Sequence, residues 1–153
     1  MVLGISQPVR RQGLAYRRIV VPLSGKAESE AAIALAAELA SEHGASITAM
    51  VVIELPAELP LEAHMLEEEA QARRLLEDAR AIAGSYGVRV RGRVVRARRP
   101  GEAIVAEVEA LQADLVVLRA TPGRRSALFG ETVNYVLKHA SCRVLVDAPS
   151  GRA

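Results

Sequence analysis

Two hydrophobic patterns alternate along the chain. Nearly continuous apolar runs occupy residues 19–23, 46–53, 115–118 and 144–146. Runs without alternation are expected of strands buried on both faces, as in a parallel sheet. Between them, apolar residues recur every three or four positions, the mark of a helix with one buried stripe. This spacing predicts a helix over 27–43, with Ile33, Ala36, Ala37 and Ala40 as its stripe, Leu35 and Leu39 widening it, and Gly44 ending it. Pro22 lies close enough to the end of the first strand to be tolerated there. Two prolines make 54–60 a loop. A longer helix is expected over 61–86, from the spacing of Met65, Ala72, Leu75, Ala79, Ile82 and Tyr86, with Gly87 ending it. Shorter helices follow over 102–112, with Ile104, Val108 and Leu111 inward, and over 131–139.

The remaining strand, 88–97, is different. Val88, Val90 and Val94 are expected on one face, and Arg89, Arg91 and Arg93 on the other. An arginine-bearing face belongs to an edge strand, or to one incompletely covered, where charge discourages edge-to-edge aggregation. The element order β-α-β-α-β-α-β-α-β implies an α/β fold, a single doubly wound parallel sheet of Rossmann-like type. With the arginine strand at an edge and the most apolar strands inside, the order 3-2-1-4-5 is predicted. Its switch point falls between the first and fourth strands, where open α/β sheets hold ligands. That brings Ser24-Gly25-Lys26 beside the loop 120–130.

Composition narrows the chemistry. A length of 153 residues, half of them hydrophobic, suits one domain, expected over 17–148 with a loose leader at 1–16 and a tail at 149–153. Aromatics make up only 3%, none interleave with the arginines of 89–93, and the net charge is +2, so nucleic acid is not an expected partner. The lone Cys142 excludes an internal disulfide and a cysteine-based zinc site. It is expected as a small core residue, and a reducing compartment, the cytoplasm, is the expected location. No run approaches the ~20 apolar residues of a membrane span, so direct membrane insertion is not expected. His43, His64 and His139 are dispersed in a way that suits helix ends better than metal binding. Neither G-x-S-x-G nor a full Walker A pattern is present, and the carboxylates lie mainly on wet helix faces, so no catalytic residue is assigned.

The candidate chemistry lies in 114–146, which reads as strand, glycine-containing loop, helix, strand. The free N–H groups and positive dipole end of a helix start favour an anion. The candidate nucleotide- or anion-binding set is Pro22, Leu23, Ser24, Val52, Ala120, Gly123, Arg124, Arg125, Gly130, Glu131 and Thr132.

These segments carry a resemblance. YRRIVVPLSGKAESEAAIALAAELA is similar to the opening strand and helix of universal stress protein domains, GASITAMVVIE to their second strand, and ADLVVLRA with GETVNYVLKHASCRVLV to their closing strand, helix and strand. The ELPAELPLEA loop and the closing segment also resemble stress-protein domains appended to some bacterial amino-acid transporters. In ATP-binding members of the family, the loop after the fourth strand reads Gly, two residues, Gly, nine residues, Gly, then Ser or Thr. Here Ala120 stands at the first glycine, Gly123 at the second and Gly130 at the third, with six residues between the last two, and Glu131 replaces the hydroxyl residue. Thr132 restores the hydroxyl only if the register slips by one. Ser24 replaces an aspartate near the base. Ala120 adds a Cβ at a close approach, the phosphate cradle is shorter, and Glu131 competes with a phosphate for the helix end by ~0.3–1 kcal/mol.

The resemblance implies a non-enzymatic regulatory module with an altered nucleotide pocket and no required cofactor. Its alternatives are an ATP- or AMP-binding stress protein with at most slow hydrolysis, and an interaction module regulating a membrane transporter encoded elsewhere. A homodimer is expected through Val144, Leu145 and Val146, an apolar strand that the topology leaves at an edge.

Overall fold

The computed structural model describes residues 15–120 and 130–148. Nine elements follow in order: β1 (Arg18–Leu23), α1 (Lys26–His43), β2 (Ser46–Glu54), α2 (Leu66–Gly84), β3 (Val90–Ala97), α3 (Pro100–Leu111), β4 (Leu115–Arg119), α4 (Glu131–His139) and β5 (Arg143–Asp147). All strand pairings are parallel and the sheet order is β3-β2-β1-β4-β5, as the hydrophobic pattern predicts.

The two faces of the sheet carry separate cores. Ile19, Val21 and Leu23 of β1, with Ile47, Ala49 and Val51 of β2, pack under the alanine-rich stripe of α1 and under Ala72, Leu75 and Leu76 of α2. On the other face, Val20, Met50, Val116 and Leu118 meet Ile104 and Val108 of α3 and Val133 and Val136 of α4. The two-residue alternation of a strand divides each apolar run between the two cores, which is why the middles of the central strands are apolar on both sides. Small side chains let elements approach closely. A Cβ at Gly101 in α3 would meet the Tyr135 ring of α4 at 2.9 Å.

β1 is held unequally by its neighbours. It registers with β2 from Arg18↔Ser46 through Leu23↔Val51, but with β4 only at Ile19↔Leu115 and Val20↔Val116. The Asp114 carboxylate fixes the shared start, accepting from the Arg17 N–H at 3.0 Å and the Arg18 N–H at 3.1 Å. The Arg18 carbonyl accepts from Asp114 on the β4 side, and the Arg17 carbonyl from Ser46 on the β2 side. Even positions of β1 therefore point their backbone polar groups at β4. Pro22 is one of them and has no N–H to give, so the β1–β4 ladder stops before it and the strands part.

Two sequence expectations need correction. The long helix begins at Leu66 rather than near residue 61. Turns closed by the Pro56 carbonyl with the Leu59 N–H, and by the Pro60 carbonyl with the Ala63 N–H, occupy the preceding stretch. The helix starts where the Glu69 carboxylate can accept from the Met65 N–H at 3.2 Å. It ends at Gly84, leaving Tyr86 exposed rather than on the inner stripe. Val94 shares a face with Val90, yet stays 45% exposed because β3 is the outermost strand and α2 crosses it over Gly92, against Leu76 and Arg80.

Nor are the arginines of β3 all solvated. Arg93 makes a two-pronged bond to Glu107 of α3, Nη2 to Oε1 and Nε to Oε2, each at 3.1 Å. Glu107 is only 7% exposed. On the opposite face, Arg96 donates to Glu69 at 2.7 Å, clasping β3 to the first turn of α2.

Removing one partner of a buried ion pair strands the other charge. Arg93→Ala is expected to lower unfolding stability by about 1–3 kcal/mol in urea titration. An Arg93→Ala/Glu107→Leu double variant should recover most of that loss, and no recovery would show that the pair is not the cause.

The Arg96 guanidinium, and secondarily the Met65 N–H, hold the Glu69 carboxyl below the usual carboxylate range. A carboxyl lowered on folding stabilises the fold above its unfolded value, and that contribution disappears as pH falls through the lowered value. Glu69→Gln should therefore reduce the thermal midpoint at neutral pH, with the difference vanishing in acid. A gap that persists in acid would assign the effect to packing.

Candidate functional site

The parting of β1 and β4 opens a cleft of about 400 Å3 at the carboxyl ends of the strands. Its floor is apolar, made by Pro22, Leu23, Val52, Ile104, Leu118 and Val133. Three helices begin around it. α1 starts after Gly25 and α4 after Gly130, both without a side-chain cap, and Pro100 opens α3 at the rim. Gly130 adopts φ 92° and ψ 163°, a conformation open essentially to glycine alone. The turn into α4 therefore depends on this residue.

Of the residues predicted from sequence, the structure brings Pro22, Leu23, Ser24, Val52, Gly130, Glu131 and Thr132 together around this one cleft. Ala120 does not line it. Its side chain is buried and its N–H donates to the Asp147 carbonyl at 3.0 Å, extending the β4–β5 pairing. Gly123, Arg124 and Arg125 lie outside the described residues.

Sequence reading missed several lining groups. Ser29 is buried beneath the turn, and its Oγ accepts from the Ser24 N–H at 2.9 Å, fixing the turn after β1. The signal was available, because Ser29 lies one helical step before Ile33 on the same stripe. Glu28 and Glu54 also reach the cleft, as does Arg119. Arg119 is turned toward β5, where its Nη1 donates to the Asp147 carboxylate at 2.7 Å.

Among the described lining residues, acids outnumber bases. Glu28 and Glu131 stand in the first turns of α1 and α4, and Glu54 closes β2. Each helix end that could attract an external anion already carries a carboxylate of the chain. Among the described lining residues the single cation is Arg119, shared with Asp147.

The other candidates of the sequence occupy ordinary places. His43 and His139 are the last residues of α1 and α4 and lie against Tyr16 and Tyr135. His64 faces Glu69 at 3.4 Å. Among the described residues no cluster of three His, Cys, Asp or Glu could hold a metal ion. Cys142 is half-buried against the α3–α4 core. Burial first, and the Asp114 carboxylate second, push its thiol up, which disfavours a nucleophilic thiolate.

The sheet order, the switch-point cleft and the glycine-started helix agree with a match along nearly the whole described chain. A family model described as the universal stress protein family matches residues 15–147. The chain belongs to this family. It is 32% identical over 141 residues to a universal stress protein of Methanocaldococcus jannaschii, the match covering 86% of this chain and 81% of the relative. Among solved structures, it resembles the universal stress protein UspA from Lactobacillus plantarum with a TM-score of 0.74 and 24% identity, covering 87% of this chain and 98% of that one. The universal stress protein from Archaeoglobus fulgidus, solved in complex with dAMP, matches with a TM-score of 0.69 and 19% identity, covering 87% and 98%. At these identities the structural matches establish the fold. No helix among the described residues is long and apolar enough to cross a membrane.

Proposed function

We propose that this chain is a non-enzymatic regulatory module of the universal stress protein family, with a switch-point cleft altered so that it disfavours nucleotide triphosphates. The observation that carries this reading is the charge of the cleft: Glu28, Glu54 and Glu131 line it, and two of them stand at helix starts. A triphosphate entering such a site meets like charge where the fold would otherwise offer free N–H groups. Ser24, with its N–H tied to Ser29, supplies no carboxylate near a base. Among its described residues the cleft assembles no nucleophile–base pair, which supports a binding role over a hydrolytic one. Cytoplasmic placement belongs to the same reading.

A second reading is favoured by the apolar floor, which suits a base, and by the dAMP bound to the Archaeoglobus relative. A monophosphate brings less charge to the acidic rim, so AMP would be accepted where ATP is not.

Nucleotide titration followed by amide NMR separates the two. ATP should leave the amides of Ser24, Glu131 and Thr132 unsaturated up to ~100 μM. Removing the competing carboxylate in Glu131→Ser should tighten cleft-side ATP binding by about twofold to fivefold, from the helix-end contribution. Saturation of those amides by ATP below that concentration in the unaltered protein would overturn the altered-cleft reading. Cleft-side saturation by AMP alone would establish the second.

We also propose a two-fold dimer through β5. Its outer edge is unpaired in the sheet, and Val144, Leu145 and Val146 are each only half-buried. Sedimentation at micromolar concentration should give about twice the 16.4 kDa chain mass. A monomer mass would remove this proposal.

A further inference from the structure

A second concavity lies at the opposite end of the sheet, where the strands begin. It measures about 410 Å3 and is lined by Arg18, Thr48, Arg89 and Arg91, with Ala110 and Leu111 of α3 on one wall. Its arginines come from two strands. β3 presents alternate residues to the α3 face, so Arg91 and Arg93 share a side, and Arg91 lies in register with Thr48 of β2. Arg93 is consumed by Glu107, but Arg89 and Arg91 are not matched in this way. The ion pairs among the described residues involve Arg93, Arg96, Arg99, Arg119 and His64, and none involves Arg18, Arg89 or Arg91. The segments 1–14, 121–129 and 149–153 contain no Asp or Glu that could supply a partner.

Two local groups oppose an anion, and each is partly offset by hydrogen bonds. The Leu111 carbonyl, at the negative end of α3, accepts from Arg18 Nη1 at 3.3 Å, which offsets that end and fixes the guanidinium on the wall. The nearby Asp114 carboxylate is occupied by the Arg17 and Arg18 N–H groups.

We propose that this depression binds a small polyanion carrying at least two phosphate groups. Arginine stays charged at any physiological pH and matches phosphate oxygens with two parallel N–H donors. Three such groups around one volume, with the Thr48 hydroxyl among them, make a site sized for a small ligand. The lining holds no aromatic side chain on which a base could stack, and the arginines converge on a hollow rather than tracking along a surface. These features favour a compact phosphorylated molecule over a nucleic-acid strand. The site is separated by the length of the strands from the acidic cleft, so the two ends of the molecule would select ligands of opposite charge preference.

Inorganic tripolyphosphate, titrated into the full chain at low ionic strength with calorimetry and amide NMR, tests this. One saturable site is expected, with shifts gathered at Thr48, Arg89 and Arg91, and affinity falling as salt is raised. Arg89→Gln/Arg91→Gln should weaken binding at least tenfold, whereas the same loss of charge from the exposed face of α2, Arg73→Gln/Arg74→Gln, should change it by less than about twofold. Both arginines are exposed, and the shift map of the unaltered protein serves as a readout that needs no variant. Absence of saturable heat, shifts centred on Gly130–Val133, or equal affinity in the double variant would each overturn the proposal. So would tighter binding of a single-stranded oligonucleotide at the same residues, which would reassign the hollow to nucleic acid.

Discussion

The feature on which this molecule turns is the incomplete pairing of its central strand. β1 is the middle strand of the sheet, bordered by β2 on one side and β4 on the other. In a sheet buried on both faces, every backbone donor and acceptor needs a partner. Pro22 relaxes that requirement at one point, because it has no donor to leave unsatisfied. The ladder to β4 can end there without orphaning an N–H, and the space between the diverging strands becomes the cleft. Asp114 counterbalances this at the other end by clamping the starts of β1 and β4 together. The opening is therefore confined to the carboxyl ends of the strands.

Charge is distributed along the same axis. At the top, α1 and α4 begin with glutamates that satisfy the positive ends of their own dipoles. The Arg119 guanidinium, the nearest positive group of the described cleft, is drawn to Asp147 at the adjoining strand end. At the bottom, the surplus is positive. The overall charge of +2 gives no sign of this unevenness among the described residues. Among the described residues, the two ends of the sheet therefore differ in charge while sharing one framework of strands.

Much of this architecture was legible in the sequence because burial on both faces leaves an unambiguous trace. The runs at 19–23, 46–53 and 115–118 could not have faced water, and the arginine alternation of 89–93 could not have been central. Those two facts fix the strand order and hence the switch point. What escaped were polar residues whose role depends on a distant partner. Glu107 falls on the same helical stripe as Ile104, Val108 and Leu111, but nothing local reveals that Arg93 waits across the layer. Ser29 is a nearer case: its place on the α1 stripe marks it as buried, but its bond from the Ser24 N–H forms only once the chain turns after β1. The start of α2 was misplaced because apolar spacing continues through 61–65, whereas the turns after Pro56 and Pro60 and the bond from Met65 to Glu69 decide where helical geometry begins.

The two margins of the sheet are finished differently. β3 is flanked by arginines that would face like charge in any neighbour of the same kind, while β5 shows short, half-covered aliphatic side chains. A strand layer with two receptive margins can add copies without limit and grow into a fibre. If the proposed dimer forms at β5, a second copy uses up that margin, and the arginines of β3, some of which line the lower hollow, would then oppose further growth at the other.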